Sequence, residues 1–212
     1  MSDIFREIDE ELRRDNLLKL WSRYGRYIAV AVFALVVAGG IVAWRDHQLS
    51  ERLAQSARYA GALTLARDGK EADAVKVFAA VGREGGGYAI LASFQEAALL
   101  AKSGDRDAAV AAYDRIAATS ALDPSLRGLA VLLSVMQRMP EGDPHDTIDR
   151  LAPLTASGNP WRPSAIELTA LARLKLQDKS GALDLFKSLA DDPATPQSLR
   201  SRAAEMAAAL AS

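Results

Sequence analysis

Few residues in this chain have both the type and the spacing to do chemistry. Its two histidines, His47 and His145, stand 98 residues apart and no HExxH pair occurs, so a helix-borne zinc pair is missing. The densest polar cluster is Asp143, His145 and Asp146, in the run DPHD. Those residue types ligate metals, but acids at a helix start also complement the helix dipole, and the second role is expected here. The run GREGGG at 82–87 has the glycines of a phosphate loop without the following Lys-Ser/Thr, and it joins helix to helix rather than strand to helix. No serine lies in a G-x-S-x-G turn. With no cysteine, thiolate catalysis, disulfides and cysteine-ligated zinc are excluded. The expectation is a protein with no catalytic residues, no metal, no cofactor and no small-molecule substrate.

What polar chemistry remains concerns binding. Arg67, Lys102 and Lys175 each close the first helix of a repeated unit. Equivalent positions line up in a helical array, so the three cations could form a basic track for an acidic segment or a chain terminus. The same residues would also stabilise helix C-termini by about 0.3–1 kcal/mol each. Trp161, in NPWRPS, is expected to pack at a helix start rather than to stand out as a binding anchor.

These residues must be positioned by helices. Alanine supplies much of the 50% apolar content while aromatics make up only 6%, which favours close-packed α-helices. Three stretches repeat: LARDGKEADAVKVFAAV (65–81), LAKSGDRDAAVAAYDRI (100–116) and LKLQDKSGALDLFKSLA (174–190). Each places a small residue four positions before a ring, in the pairs Ala74/Phe78, Ala109/Tyr113 and Ala182/Phe186. Positions i and i+4 share a helix face, so the small residue admits the neighbouring helix and the ring fills the gap beyond it. These six are expected to be packing residues, not sites. A degenerate unit with Thr147 and Leu151 in the same places gives spacings of 35, 38 and 35 residues, close to the 34-residue tetratricopeptide period. Helix pairs are expected at 71–83 with 88–103, 106–119 with 124–139, and 144–154 with 162–176, followed by 179–190 and a capping helix at 195–211. The breakers between them are Gly85 to Gly87, Asp123-Pro124, Pro140 to Pro144, Asn159-Pro160 and Asp192-Pro193.

Upstream of the repeats, Tyr27 to Trp44 is a run of eighteen uncharged residues, YIAVAVFALVVAGGIVAW. As a helix it reaches about 27 Å, against the ~30 Å hydrocarbon core of a bilayer. Nine of its residues are Val, Ile, Leu or Phe, together worth about −4 kcal/mol in a spanning helix. Tyr27 and Trp44 at its ends suit the two interfaces. A cleaved signal peptide is the alternative, with Ala38 and Gly40 as small residues before a cleavage point. Against it stand the 26 residues that precede the run and the six acids among them. Arg13, Arg14, Lys19, Arg23 and Arg26 before the run outnumber Arg45, Arg52 and Arg58 after it, which places the N-terminus in the cytoplasm. The expected organisation is a cytoplasmic segment 1–26, a transmembrane helix 27–44 that continues to about Arg67, and an exported repeat domain 45–212. Phe5, Ile8 and Leu12 share one face of the N-terminal segment, which could dock a partner or remain a passive tail. Ala34-x-x-x-Ala38 and Gly39-x-x-x-Ala43 would permit close helix packing in a membrane oligomer. A net charge of −1 leaves no electrostatic footprint for nucleic acid.

Anchor, exit and repeats together resemble the ancillary subunit family of the bacterial SecYEG translocon. The resemblance lies in VAGGIVAWRDHQLSERLAQSARYAGAL, YAILASFQEAALLAKSGDRDAAVAAY and NPWRPSAIELTALARLKLQDKSGALDLF, and extends over most of residues 27–212. It implies an all-α, single-pass inner-membrane protein without enzymatic activity. Such a protein would associate with the translocon and with a membrane-anchored periplasmic chaperone of the prolyl-isomerase-like class, and hand on newly exported chains. The family's domain is also related to a periplasmic cell-division coordinator, so an envelope or cell-division scaffold is the alternative.

Overall fold

Aspartate and proline start most of the helices. Asp105, Asp123, Asp143 and Asp178 each stand at an N-cap, where the carboxylate accepts from the backbone N–H of Ala108, Ser125, His145 and Gly181 respectively. Pro124 and Pro144 follow their caps directly, in the position where a helix needs no N–H. We describe the chain from a computed structural model that covers residues 3–211, with side chains from residue 26 onward except at 28, 29, 31 and 32. In chain order the helices are α1 (Asp3–Arg67), α2 (Glu71–Glu84), α3 (Ala89–Lys102), α4 (Arg106–Ala117), α5 (Pro124–Arg138), α6 (Pro144–Leu151), α7 (Arg162–Lys175), α8 (Lys179–Asp191) and α9 (Gln197–Ala211). No strand occurs among the described residues.

Most helix bounds fall within two residues of those the sequence pattern predicts, and the largest departure is in α6. The helix expected over 144–154 stops at Leu151 and finishes as a 3-10 turn, Ala152–Thr155, because Pro153 cannot donate to the helical ladder. The last helix begins at Gln197, directly after Pro196, rather than at 195.

The chain divides into two compact units, Met1–Ala54 and Gln55–Ser212. In the first, every described side chain from residue 30 to 54 is exposed, with Phe33 at 70% and Leu35 at 73%. Among the described residues no helix is long and apolar enough to cross a membrane. Their longest uncharged run, 33–44, is about 18 Å of helix. The expected span begins earlier, at Tyr27, and positions 28, 29, 31 and 32 within it lie outside the described side chains, as does the Phe5, Ile8 and Leu12 face.

The second unit repeats four times. Ala62, Ala74, Phe78 and Val81 recur as Ala97, Ala109, Tyr113 and Ile116, as Val135, Thr147, Leu151 and Leu154, and as Ala170, Ala182, Phe186 and Leu189, and all of them are buried. The first member of each set lies on one helix and the rest on the next, except that Leu154 lies in the 3-10 turn after α6, so each set is the seam of a helix pair.

The pairs are not isolated. Each buried cluster takes residues from three successive helices: Ala62 with α2 and α3, then α3 with α4 and α5, then α5 with α6 and α7, then α7 with α8 and α9. The pairing expected from sequence, 71–83 with 88–103, is therefore half of the arrangement, because α3, α5 and α7 each serve two clusters. At the end α9 contributes Leu199, Ala203 and Ala207 where another repeat would begin, and so closes the stack.

The turns inside the pairs also repeat. Gly69 and Gly104 have φ of 79° and 84°, and Gln177, in the same place, has φ of 63°. This left-handed conformation favours glycine, and Gln177 is the one non-glycine residue that adopts it among the described residues.

Candidate protein-interaction surfaces

The three cations singled out from sequence occupy equivalent helix ends but differ in their surroundings. Arg67 is exposed, with no hydrogen bond or ion pair among the described residues. Lys102 Nζ lies 2.6 Å from Glu71 Oε1 and ties the end of α3 to the start of α2. Lys175 Nζ donates to the carbonyls of Met139 and Pro140, and so satisfies the C-terminal end of α5. The last two cations thus each tie one helix end to another. Because the Lys102 pair is exposed, it contributes at most about 1 kcal/mol.

Two surfaces were not anticipated. Within Gln55–Ser212, Leu91 and Met136 are the only large apolar side chains exposed among the described residues, at 50% and 49%. Leu91 lies seven residues before Ala98 on α3, and Leu129 seven before Met136 on α5, which is one helix face in each case. The sequence holds this signal, since Leu129 and Met136 follow Leu91 and Ala98 by the same 38-residue step as the packing residues. Separately, α2, α3 and α4 enclose an open cleft of about 910 Å³, floored by Ala79, Ala89, Ile90, Ala112 and Ile116 and rimmed by Arg83.

A polar network crosses α4, α5 and α6. Ser134 Oγ donates to Asp114 Oδ1 at 2.6 Å, Arg150 donates to the same oxygen, and Arg138 reaches Asp114 Oδ2 at 3.3 Å. Burial by itself would raise the Asp114 pKa. The hydrogen bonds from Ser134 and Arg150 and the charges of Arg150 and Arg138 outweigh it and hold the carboxyl below its ordinary value. The network is a strut between repeats rather than a reaction centre, because Ser134, Arg150 and Arg138 all reach Asp114 and the two guanidinium groups offset its charge.

Asp143 and Asp146 do not converge with His145 on a metal position. Asp143 caps α6, and Asp146 lies 3.7 Å from Arg138. Among the described residues no group of three His, Cys, Asp or Glu could hold a metal ion. Trp161 packs: its Nε1 donates to Ser125 O at 2.7 Å, and its ring lies over Gly128, where an added Cβ would stand 2.9 Å from the indole. Gly82, in the last turn of α2, and Gly85 and Gly86, between α2 and α3, line the open cleft.

A stack of helix pairs joined by shared apolar seams, with its polar residues spent on caps and struts, defines an α-helical repeat scaffold of the kind that binds other proteins. The family model of the tetratricopeptide repeat-like domain matches residues 19–152, and this chain belongs to that family. The match ends within the third repeat, yet the buried set recurs once more as Ala170, Ala182, Phe186 and Leu189. No curated protein matches the chain.

Proposed function

We propose that this chain is a non-enzymatic adaptor, held in the bacterial inner membrane by Tyr27–Trp44 with residues 45–212 on the periplasmic side. There its repeats receive a chaperone or an emerging polypeptide at the exit of the SecYEG translocon. The observation that carries the anchor is the eighteen-residue uncharged run, whose described side chains all stand exposed. A contiguous apolar surface of that kind calls for an apolar surrounding. The excess of Lys and Arg before the run supports the orientation. The repeat domain supports protein binding in general, while the translocon and chaperone rest on the resemblance of the anchor, its exit and the repeat order. Among Arg67, Lys102 and Lys175, Arg67 is the cation best placed to meet a partner, the two lysines being engaged at helix ends.

Topology is tested by labelling. The chain contains no cysteine, so a Ser212→Cys variant in spheroplasts should react with a membrane-impermeant maleimide, and protection of that thiol would overturn the orientation. Function is tested with photo-crosslinkers at positions 67, 102 and 175 in cells. Adducts with translocon subunits or a periplasmic chaperone are expected, whereas adducts with cell-division proteins alone would favour the envelope-scaffold alternative.

A further inference from the structure

The cleft between α2, α3 and α4 has a counterpart one repeat on, and the two are in opposite states. Thirty-eight residues after Ile90 and Ile116, which line the open cleft, stand Gly128 and Leu154. There the space is filled from within the chain. An added Cβ on Gly128 would meet Trp161 Cδ1 at 2.9 Å and Leu154 Cδ2 at 3.1 Å, and the indole nitrogen is fixed on Ser125 O at 2.7 Å. Among the described residues no aromatic ring lines the first cleft. By the spacing of Ala170 and Val135, Leu126 holds the position that Trp161 holds in the later repeat. A volume of about 910 Å³ is left, floored by alanines and isoleucines, which is within the ~300–1,000 Å³ range of ligand clefts.

The charge at this cleft is one-sided. Ser93 Oγ is satisfied by Ala89 O at 3.0 Å, and Glu96 is taken up by Arg115 at 2.9 Å. Arg83 is exposed on the rim. Its Nε donates to Ala79 O at 3.0 Å, and its guanidinium meets no carboxylate among the described residues. A partner that complements both features brings a large apolar side chain and an acid close to it.

We propose that this cleft docks a partner polypeptide that seats an aromatic side chain over Ile90 and Ile116 and sets a carboxylate beside Arg83. The proposal rests on the reading of the repeats as a protein-binding scaffold and assigns that binding to a site and a chemistry. It uses the route by which the chain closes its own next cleft, with the ring supplied by another molecule.

The test uses the full-length protein in detergent micelles and a labelled eleven-residue peptide with a central tryptophan between pairs of glutamates. Two twin peptides replace the tryptophan by glycine or the glutamates by lysines. Fluorescence anisotropy should show the first peptide binding about tenfold or more tightly than either twin. Arg83→Glu should remove the preference for glutamate. Ser93→Trp should abolish binding, and because that variant could fold poorly, a Thr119→Cys variant alkylated with a bulky maleimide after folding repeats the blockade. Equal binding of the three peptides, or binding untouched by the alkylation, would overturn the proposal. Photo-crosslinkers at positions 119, 67 and 136 separate it from the adaptor reading. With positions 102 and 175 included as above, translocon or chaperone adducts from 67, 102, 136 or 175 with none from 119 sink the cleft alone, and adducts from none of the five sink both.

Discussion

In the first two repeats each seam is closed by a ring from either helix: Tyr59 meets Phe78 at 5.4 Å, and Phe94 meets Tyr113 at 6.3 Å. In the third repeat the same two positions are Leu132 and Leu151, the position four before the second is Thr147 instead of alanine, and the second helix is the eight-residue α6. Less apolar volume is available there, and the polar network of Asp114, Ser134, Arg138 and Arg150 stands beside it. The comparison teaches that one period can be held by two kinds of joint. A ring seated over a small residue carries no charge at neutral or mildly acid pH and stabilises by filling space. A charged strut fixes geometry, since its donors must meet particular oxygens, but it adds little net stability because its desolvation offsets much of the attraction. Arg138 Nε, buried without a partner in that network, is part of that cost.

The largest effect expected is therefore in a ring repeat. Phe186→Ala should cost about 3–5 kcal/mol by removing a fully buried ring, and Leu151→Ala about 2–4 kcal/mol. Repeat arrays open unit by unit, so hydrogen exchange resolved along the chain is the appropriate measurement. Loss of protection should centre on α7 to α9 in the first variant and on α5 to α7 in the second. Equal losses spread over both regions in each variant would mean that the repeats open as one body and that the contrast is without consequence.

The strut is broken by Asp114→Ala. About 1–3 kcal/mol should be lost from α5 and α6, because Arg150 and Arg138 keep their charges without the carboxylate. It also predicts an acid response. The folded Asp114 pKa lies below its unfolded value near 3.9, so its contribution is whole above about pH 5 and is lost as pH falls through the folded value. Protection of α5 and α6 should fall over that window, and Asp114→Asn should flatten the fall. Asp178, half-buried at the start of α8, is held low by the backbone N–H of Gly181 and by Arg173 and titrates in the same direction. The diagnostic is thus the response of α5 and α6 to the variant, not the acid response alone.

Most of the scaffold was legible because its signals are local. The pairs Ala74/Phe78, Ala109/Tyr113 and Ala182/Phe186 are one helical turn apart and recur at steps of 35 or 38 residues once the degenerate third unit is counted, and the caps and prolines mark the boundaries to within two residues except at α6, which ends three residues early. The degenerate third unit was found by the same step, through Thr147 and Leu151. The cleft was not legible, because it depends on what fails to fill a space: Leu126 where Trp161 would have served. The strut is not legible in sequence either, since Asp114, Ser134 and Arg150 have no common spacing and meet only once three helices have stacked. Lys102 and Lys175 look alike in sequence, yet one meets a carboxylate and the other two carbonyls.

The turns sharpen the comparison at a smaller scale. Gln177 holds the left-handed conformation that Gly69 and Gly104 hold in the first two repeats. Relieving its Cβ with Gln177→Gly should stabilise α7 and α8 by about 1 kcal/mol, read as slower exchange confined to those helices. A destabilisation would mean that the Gln177 side chain makes a contact worth more than the backbone cost.

The smallest effect concerns the start of α2. Lys70 stands at the N-cap with φ −87° and ψ 55°, close to the −80° and 74° of Asp105 and the −82° and 73° of Asp178, but it makes no side-chain cap bond. Both aspartates accept from the N–H three residues on, and in α2 that donor is Asp73. Lys70→Asp should therefore add a cap worth about 0.5–1 kcal/mol, held toward the lower end by repulsion from Glu71 and Asp73 in the same turn. Thermal unfolding followed by circular dichroism, with Lys70→Asn as the uncharged control, separates the two terms. If the asparagine variant gains more than the aspartate, repulsion in the first turn sets the limit. If neither gains, the repeated backbone geometry is not sufficient to form the cap, and the likeness between the first repeat's turn and the second's is one of shape alone.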